Sequence, residues 1–566
     1  MRIQTSVLVA GFLLMQQAAG DRPAGNTRGT RSVVMARNGV IATSQPLATA
    51  AGLQVLQSGG NAIDAAVTAA AVLSVVEPTM NGPGGDLFAM VYSAKDHRVH
   101  GLNASGRAPA AATIEEFKRR GVQHIPLRGE LSVSVPGVVD GWNELLTKYG
   151  TRTLEQALDP AIHYAQGGYA VSEIIASQWK DVEGVLARDP YAAKTFLING
   201  KAPAPGDIFR NPRLASSLTL IARGGRDVFY KGAIAKFIAD DMRRRNGLIT
   251  LEDLAAHHAD WVEPISTTYR GYQVLELPPN TQGVSALEML NIMEGYDLTS
   301  LGHNSAAYLH TLVEAKKIVF ADRGAWIGDP ASTPAAAIER MLSKDYAAAR
   351  RKDIDPGKAA SENGYKPLAL EGRETPARGD DPAGRGDTVY LTAADADGNV
   401  VSLIQSLFEA FGSGIVAGET GIVLHDRGNL FSLTPGHPNQ IAPGKRPFHT
   451  LIPGMVMKDG VPWVSFGVMG GDMQAQGHAQ VLANLIDFGM NIQDAGEAPR
   501  FRDSGNGLAL ESAFTAEARD GLRARGHHVI SGRDVFGGFQ GIMIDPKTHV
   551  LMAGSDPRKD GMAAGW

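Results

Sequence analysis

The stretch Gly386-Asp387-Thr388-Val389-Tyr390-Leu391-Thr392-Ala393-Ala394-Asp395-Ala396-Asp397-Gly398-Asn399 decides how the chain is read. A polar segment rich in Gly, Pro and charge runs from Lys352 to Asp387, and its composition predicts a mobile linker. A β pattern begins at once with Thr388. Thr388 to Ala394 is one run, Asp397-Gly398 is a hairpin turn signal, and Val400 to Ile404 is a second run. A turn centred near Asp397 sets Ser406 opposite position 388, hydroxyl beside hydroxyl.

A threonine at such a border admits two readings. It is a strand that happens to start with Thr, or it is a future N-terminus that carries hydroxyl and amine on one residue and acts as a nucleophile. Asp395 to Asn399 is similar to the start of a calcium loop. The later bidentate Glu is missing, and a turn accounts for it. Arg-Gly-Asp occurs at Arg378 and Arg385, as expected by chance in a loop of that composition.

Working outward, the 566 residues suffice for a large core, with 44% hydrophobic and 20% charged residues. A net charge of −5 points away from nucleic acid and from anionic membranes. The chain has no cysteine, so thiol nucleophiles, thiolate metal sites and disulfides are excluded. Arg2, the apolar run Val7 to Met15, and the small and polar residues to Asp21 read as a secretory signal over 1–20. The run is too short to span a bilayer. A periplasmic or secreted protein without stable membrane insertion is the expectation, with a polar arm over Asp21 to Arg31.

Val33 to Ala42 reads as a strand. Pro46–Gln57 has helical spacing closed by Gly59-Gly60, and Asn61 caps a second helix, Ala62–Val76, whose lack of a polar face predicts burial. Gly82, Gly84 and Gly85 lack the spacing of a phosphate or dinucleotide loop and read as a tight turn into the strand Leu87–Tyr92. Further helices are expected over Ile114–Arg120, Val138–Tyr149, Thr153–Gly167, Val284–Glu294 and Ala306–Asp322, and a strand over Tyr269–Leu277. The strands Gly454–Lys458 and Pro462–Gly467 lead into Gly470-Gly471 and a helix near Met473. Paired glycines at a strand-to-helix junction expose amide N–H groups, as an oxyanion hole requires, and are also ordinary turn chemistry.

The chain resembles the γ-glutamyltransferase (glutathione hydrolase) proenzymes, which are N-terminal nucleophile (Ntn) hydrolases. The resemblance rests on Gly59 to Ala66, Phe229-Tyr230-Lys231-Gly232, Gly247 to Leu254, Tyr269 to Tyr272, Phe320-Ala321-Asp322-Arg323, Phe411 to Glu419, Lys445-Arg446-Pro447 and Gly470-Gly471, in that order. It implies an α+β fold, a four-layer αββα sandwich. It also implies a precursor cut between Asp387 and Thr388 into a large subunit, 21–387, and a small catalytic subunit, 388–566, which stay together as a heterodimer. Thr388 is then the nucleophile, Ser406 its supporting hydroxyl, and Gly470 and Gly471 the oxyanion donors. No cofactor or metal is implied.

Departures from the family fall on substrate recognition. Phe408 stands where the family has an Asn, and Arg427 to Leu430 where it has Gln-x-x-Asp. His449 and Thr450 replace paired serines. Ser105 takes the aligned place of the carboxylate-binding arginine, with Arg107 two residues later as its candidate substitute. Arg107, Phe408, Arg427, His449 and Thr450 are therefore the candidate substrate-binding residues. The short loop Pro435 to Pro447 predicts an open cleft that favours hydrolysis over transfer. Three readings stand: a γ-glutamyl amidase and acyltransferase, the same nucleophile on an acyl group without the α-amine, and an unprocessed binding protein of the same fold. The substrate in each case is a small molecule, not nucleic acid.

Overall fold

The computed structural model describes residues 31–377 and 386–566. The signal reading over 1–20, nearly all of the polar arm, the first Arg-Gly-Asp sequence and Arg385 of the second lie outside the described residues.

Two seven-stranded sheets dominate Val33–Trp566. The first runs in the order Met562–Gly565, Gly39–Thr43, Asp387–Asp395, Val400–Phe408, Asp86–Ser93, Arg98–Ala104, Asp260–Val262. The second runs Val34–Ala36, Leu551–Ser555, Phe539–Ile544, Val461–Val468, Gly454–Lys458, Tyr272–Glu276, Ile265–Tyr269. Each sheet combines strands from before and after position 387. All pairings in these two sheets are antiparallel.

The strand pattern explains the layers. In the Thr388 strand, Val389, Leu391 and Ala393 face the helices Pro46–Gln57, Ala62–Val76, Val138–Tyr149 and Leu154–Gly167. Tyr390 and Ala394 face the other way, into a second apolar layer between the sheets with Phe88, Met90, Ile404, Met455 and Ile542. The outer face of the second sheet is covered by Gly283–Met293, Ala306–Trp326 and Met473–Ile486. The order is helices, sheet, sheet, helices, the α+β sandwich expected. Because both faces of the Thr388 strand are buried, a slip of one residue would exchange its two apolar sets. Register is thereby fixed.

The helix Ala62–Val76 is buried along its whole length, as its composition predicts. Its start is held by a capping box between Asn61 and Asp64. Asp64 also accepts from the Thr151 and Arg152 amides at 2.9 and 3.0 Å and from the Thr151 hydroxyl at 2.6 Å. Gly84 and Gly85 do more than turn the chain. A Cβ at Gly84 would lie 2.0 Å from the Val423 carbonyl oxygen, and one at Gly85 2.5 Å from that of Ser406.

Three expectations are corrected. Val33 to Ala42 is two strands in different sheets, because the amides of Arg37 and Asn38 turn to the Trp566 carbonyl at 3.1 and 2.9 Å. Tyr269 to Leu277 contains a hairpin turn at Arg270-Gly271, both at positive φ. The linker is anchored over much of its described part. The Ala360 amide donates to Glu314, the Tyr365 hydroxyl to Glu314 at 2.6 Å, and Trp326 Nε1 to the Leu368 carbonyl. Polar composition does not exclude such long-range bonds.

Asp64→Ala leaves several donors without their acceptor and should cost about 3 kcal/mol. The thermal midpoint by calorimetry is expected to fall by a few degrees.

Candidate active site

The hairpin delivers what its turn implied. Val389 pairs with Gln405, Asp387 with Phe408, and an irregularity lies between. Thr388 Oγ1 donates to Ser406 Oγ at 3.3 Å, and both residues are buried. Ser406 Oγ also accepts from the Phe408 amide at 2.8 Å and from Arg427 Nη2 at 3.0 Å. With three donors converging on one oxygen, the Ser406 hydroxyl is held as an acceptor toward Thr388.

Arg427 is fully buried. Its Nη1 donates to Thr450 Oγ1 at 2.9 Å, and its guanidinium lies 4.6 Å from the centre of the Phe408 ring, a cation–π contact. Burial pulls its pKa down to about 10 against the nearby Asp86, Asp426 and Glu409, so it stays charged at neutral pH. Phe408 adopts φ +81°, in the region that L side chains avoid.

Behind this cluster stands Asp86, paired with Ser406 in the next strand. Its Oδ1 accepts the Gly106 amide at 2.8 Å, and its Oδ2 lies 3.1 Å from His449 Nε2 and 3.3 Å from His425 Nδ1. Burial pushes the Asp86 carboxyl up, but the two histidines outweigh it and hold the group ionised. The Leu451 amide points at His449 Nδ1, which assigns the ring proton to Nε2. Burial first, and then the Arg427 charge, lower the His449 pKa to about 3, so the imidazole is neutral.

Gly470 and Gly471 end the strand Val461–Val468 at φ +114° and +59°, conformations that favour glycine. Among the described residues neither amide N–H is paired with an acceptor. Gln282 braces the turn, donating to the Gly471 carbonyl at 3.1 Å and the Thr450 carbonyl at 2.8 Å. Arg323 in turn donates to Gln282 Oε1 at 2.7 Å and to Asp472 at 2.6 Å. Gly386, at φ +58°, lies across the turn: a Cβ there would be 2.6 Å from Gly471 Cα and 2.9 Å from its nitrogen. In the uncut chain Gly386 thus sits against Gly471, and it lines the same cavity as Thr388 and Gly470.

Thr388, Ser406, Phe408, Arg427 and Thr450 come together, with Gly470 on a cavity shared with Thr388 and Gly471 next to it in the chain. His449 stands one layer back, on Asp86. Arg107 turns elsewhere: it donates to the His258 carbonyl and to Asp260, both at 2.8 Å. Arg446 reaches Ser105 at 3.1 Å and shares Asp260 with Arg107. Leu430 packs in an apolar cluster with Phe408 and Phe448.

Reading the residues one at a time missed Asp86, Gln282 and Glu409, and passed over Arg323 except as part of a matching stretch. Glu409 Oε1 accepts the Gly386 amide at 2.9 Å, and the Glu409 amide donates to Asp426 Oδ1 at 3.2 Å. Burial lifts the Asp426 carboxyl to about 7, against the pull of Arg128 and with a further push from Glu409.

The gamma-glutamyltranspeptidase family profile matches residues 48–566. A glutathione hydrolase-like YwrD proenzyme of Bacillus subtilis is 41% identical over 92% of the chain and 97% of that relative. An Acylase ACY 1 proenzyme of a Pseudomonas strain is 38% identical over 90% of each. Among solved structures, a cephalosporin acylase from Bacillus halodurans superposes with a TM-score of 0.88 at 42% identity, over 95% of this chain and 98% of that one.

The folded chain keeps a proton on Asp426 that the unfolded chain, titrating near 4, has lost. Its contribution to stability is full below about pH 4 and is lost as pH rises through about 7. Asp426→Asn carries no such proton. The melting temperature of the wild type should fall more between pH 4.5 and 7.5 than that of the variant.

Proposed function

This chain belongs to the gamma-glutamyltranspeptidase family of self-processing Ntn hydrolases, and on that premise we propose that it cuts itself before Thr388 and then hydrolyses amides whose acyl group carries no α-ammonium. In the precursor, Thr388 Oγ1 adds to the Asp387 carbonyl, the C–N bond breaks, and the hydroxyl proton passes to the nitrogen. Water then cleaves the ester. The cut leaves a large fragment ending at Asp387 and a small one beginning at Thr388.

The freed amine of Thr388 takes the proton of its own hydroxyl, directly or through water. Oγ1 attacks the substrate carbonyl, and the Gly470 and Gly471 amides hold the oxyanion, one such donor contributing about 3 kcal/mol. The leaving amine departs with the proton. Water releases the acyl group, and an amino-acid amine is the alternative acceptor.

The acyl preference rests on one observation, the buried Arg427 guanidinium 3.0 Å from Ser406 Oγ and stacked on Phe408. Two unit cations 4 Å apart repel by about 4 kcal/mol at an effective dielectric of 20. An acyl group bearing an ammonium is disfavoured there, and one ending in a carboxylate is favoured. A second reading, γ-glutamyl amides such as glutathione, draws on Glu409, whose carboxylate beside Gly386 offers an ammonium its acceptor. The export signal read over 1–20 supports a periplasmic or secreted location. No described helix is long and apolar enough to cross a membrane.

On a denaturing gel the wild type should give two fragments, the large one ending at Asp387 and the small one beginning at Thr388, and Thr388→Ala one uncut, inactive band. An uncut wild type leaves the unprocessed binding protein as the answer. In steady-state assays a glutaryl anilide should exceed a γ-glutamyl anilide in kcat/KM by at least roughly tenfold, the equivalent of about 1.4 kcal/mol. The reverse order establishes the γ-glutamyl reading instead.

A further inference from the structure

Self-cleavage needs more than a nucleophile, because the carbonyl before Thr388 must be held where Oγ1 can reach it. In an ordinary strand the hydroxyl of a residue and its preceding carbonyl are not aligned for attack. Here the pairing is irregular between Asp387 and Val389, and the residue just upstream, Gly386, is bent to φ +58° over Gly471. Something has to hold that bend. The partner the structure gives to the Gly386 amide is Glu409 Oε1, at 2.9 Å.

Glu409 is built as a rigid arm. It follows Phe408, whose φ of +81° turns the chain out of the strand pairing. Its amide donates to Asp426 Oδ1 at 3.2 Å, and its carbonyl accepts the Gly412 amide at 2.6 Å. Arg128 fastens the next residue, donating to the Ala410 carbonyl at 2.7 Å. The residue is 8% exposed, so its carboxylate is held mostly among partners. A buried carboxylate accepting a backbone N–H makes a charge-assisted bond, stronger than a neutral pair.

Resting on the reading that Thr388 cuts the chain, we infer that Glu409 is the positioning residue for self-cleavage. Its carboxylate grips the Gly386 amide, bends the segment over the Gly470-Gly471 turn and presents the Asp387 carbonyl to Thr388 Oγ1. Glu409 takes no proton in this step. The Oγ1–C bond forms, the C–N bond breaks and the hydroxyl proton goes to nitrogen, as already written. When the cut segment leaves, the carboxylate loses the Gly386 amide as its donor.

The test compares Glu409→Met, which keeps length and removes the acceptor, with Glu409→Gln, which keeps an acceptor oxygen and removes the charge. Each is followed by pulse-chase synthesis and denaturing gels, with the melting temperature of each purified full chain as a check on folding. Misplacing reacting atoms by about 1 Å costs up to about a hundredfold in rate. Glu409→Met should therefore cut roughly ten to a hundred times more slowly, and Glu409→Gln should recover at least a third of the wild-type rate. Cutting of Glu409→Met at the wild-type rate, or equal slowing of both variants, overturns the inference. Thr388→Ala run in parallel separates the two claims. If it is cut, the nucleophile reading fails. If it stays whole while Glu409→Met cuts normally, only the role of Glu409 falls.

Discussion

The hydrogen bond between Thr388 Oγ1 and Ser406 Oγ depends on a register that the rest of the fold enforces. Two adjacent antiparallel strands place their hydroxyls side by side only if neither can slide. Sliding is prevented because each strand buries apolar residues on both faces, Val389 and Leu391 toward helices, Tyr390 and Ile404 toward the other sheet. The packing is close enough that a Cβ at Gly467 would lie 2.4 Å from the Tyr390 ring. The placing of Thr388 against Ser406 is thus a by-product of core packing on either side of it.

Charge at the site is arranged in a similarly indirect way. One buried cation, Arg427, is met by Asp86, Asp426 and Glu409, and each of these meets a different neighbour: histidines, the Glu409 amide, and the Gly386 amide. None of the three carboxylates bonds the guanidinium in the manner of a simple pair. Its donors go to hydroxyls, Ser406 and Thr450, so the cation polarises the hydroxyl beside Thr388 without being neutralised there.

Local patterns were the legible part of the chain. The helices Pro46–Gln57 and Ala62–Val76 and the hairpin through Asp397-Gly398 follow from spacing, caps and turn residues that act within a few positions. Ser406 beside Thr388 could be counted out from that turn. Long-range competition was not legible. Nothing local splits Val33 to Ala42 between two sheets; the Trp566 carbonyl does. Nothing in the polar composition of 352–377 announces that Glu314 holds Ala360 and Tyr365. Arg107 looked suited to a carboxylate until Asp260, far along the chain, took its guanidinium. Glu409 was hidden for the same reason: its partner, Gly386, lies on the far side of the hairpin.

That each sheet is built from strands on both sides of position 387 has a thermodynamic consequence. While the backbone is whole, refolding is a unimolecular search whose outcome does not depend on protein concentration. Once it is cut, the two pieces have no separate core to retreat to, since each sheet needs strands from both. Refolding then becomes a bimolecular encounter, and the stability of the cut protein acquires a concentration dependence that the intact chain lacks. The interleaving that lets the fragments stay associated also makes their separation hard to reverse, so the lifetime of the cut protein is set by how rarely it opens and not by how well it refolds.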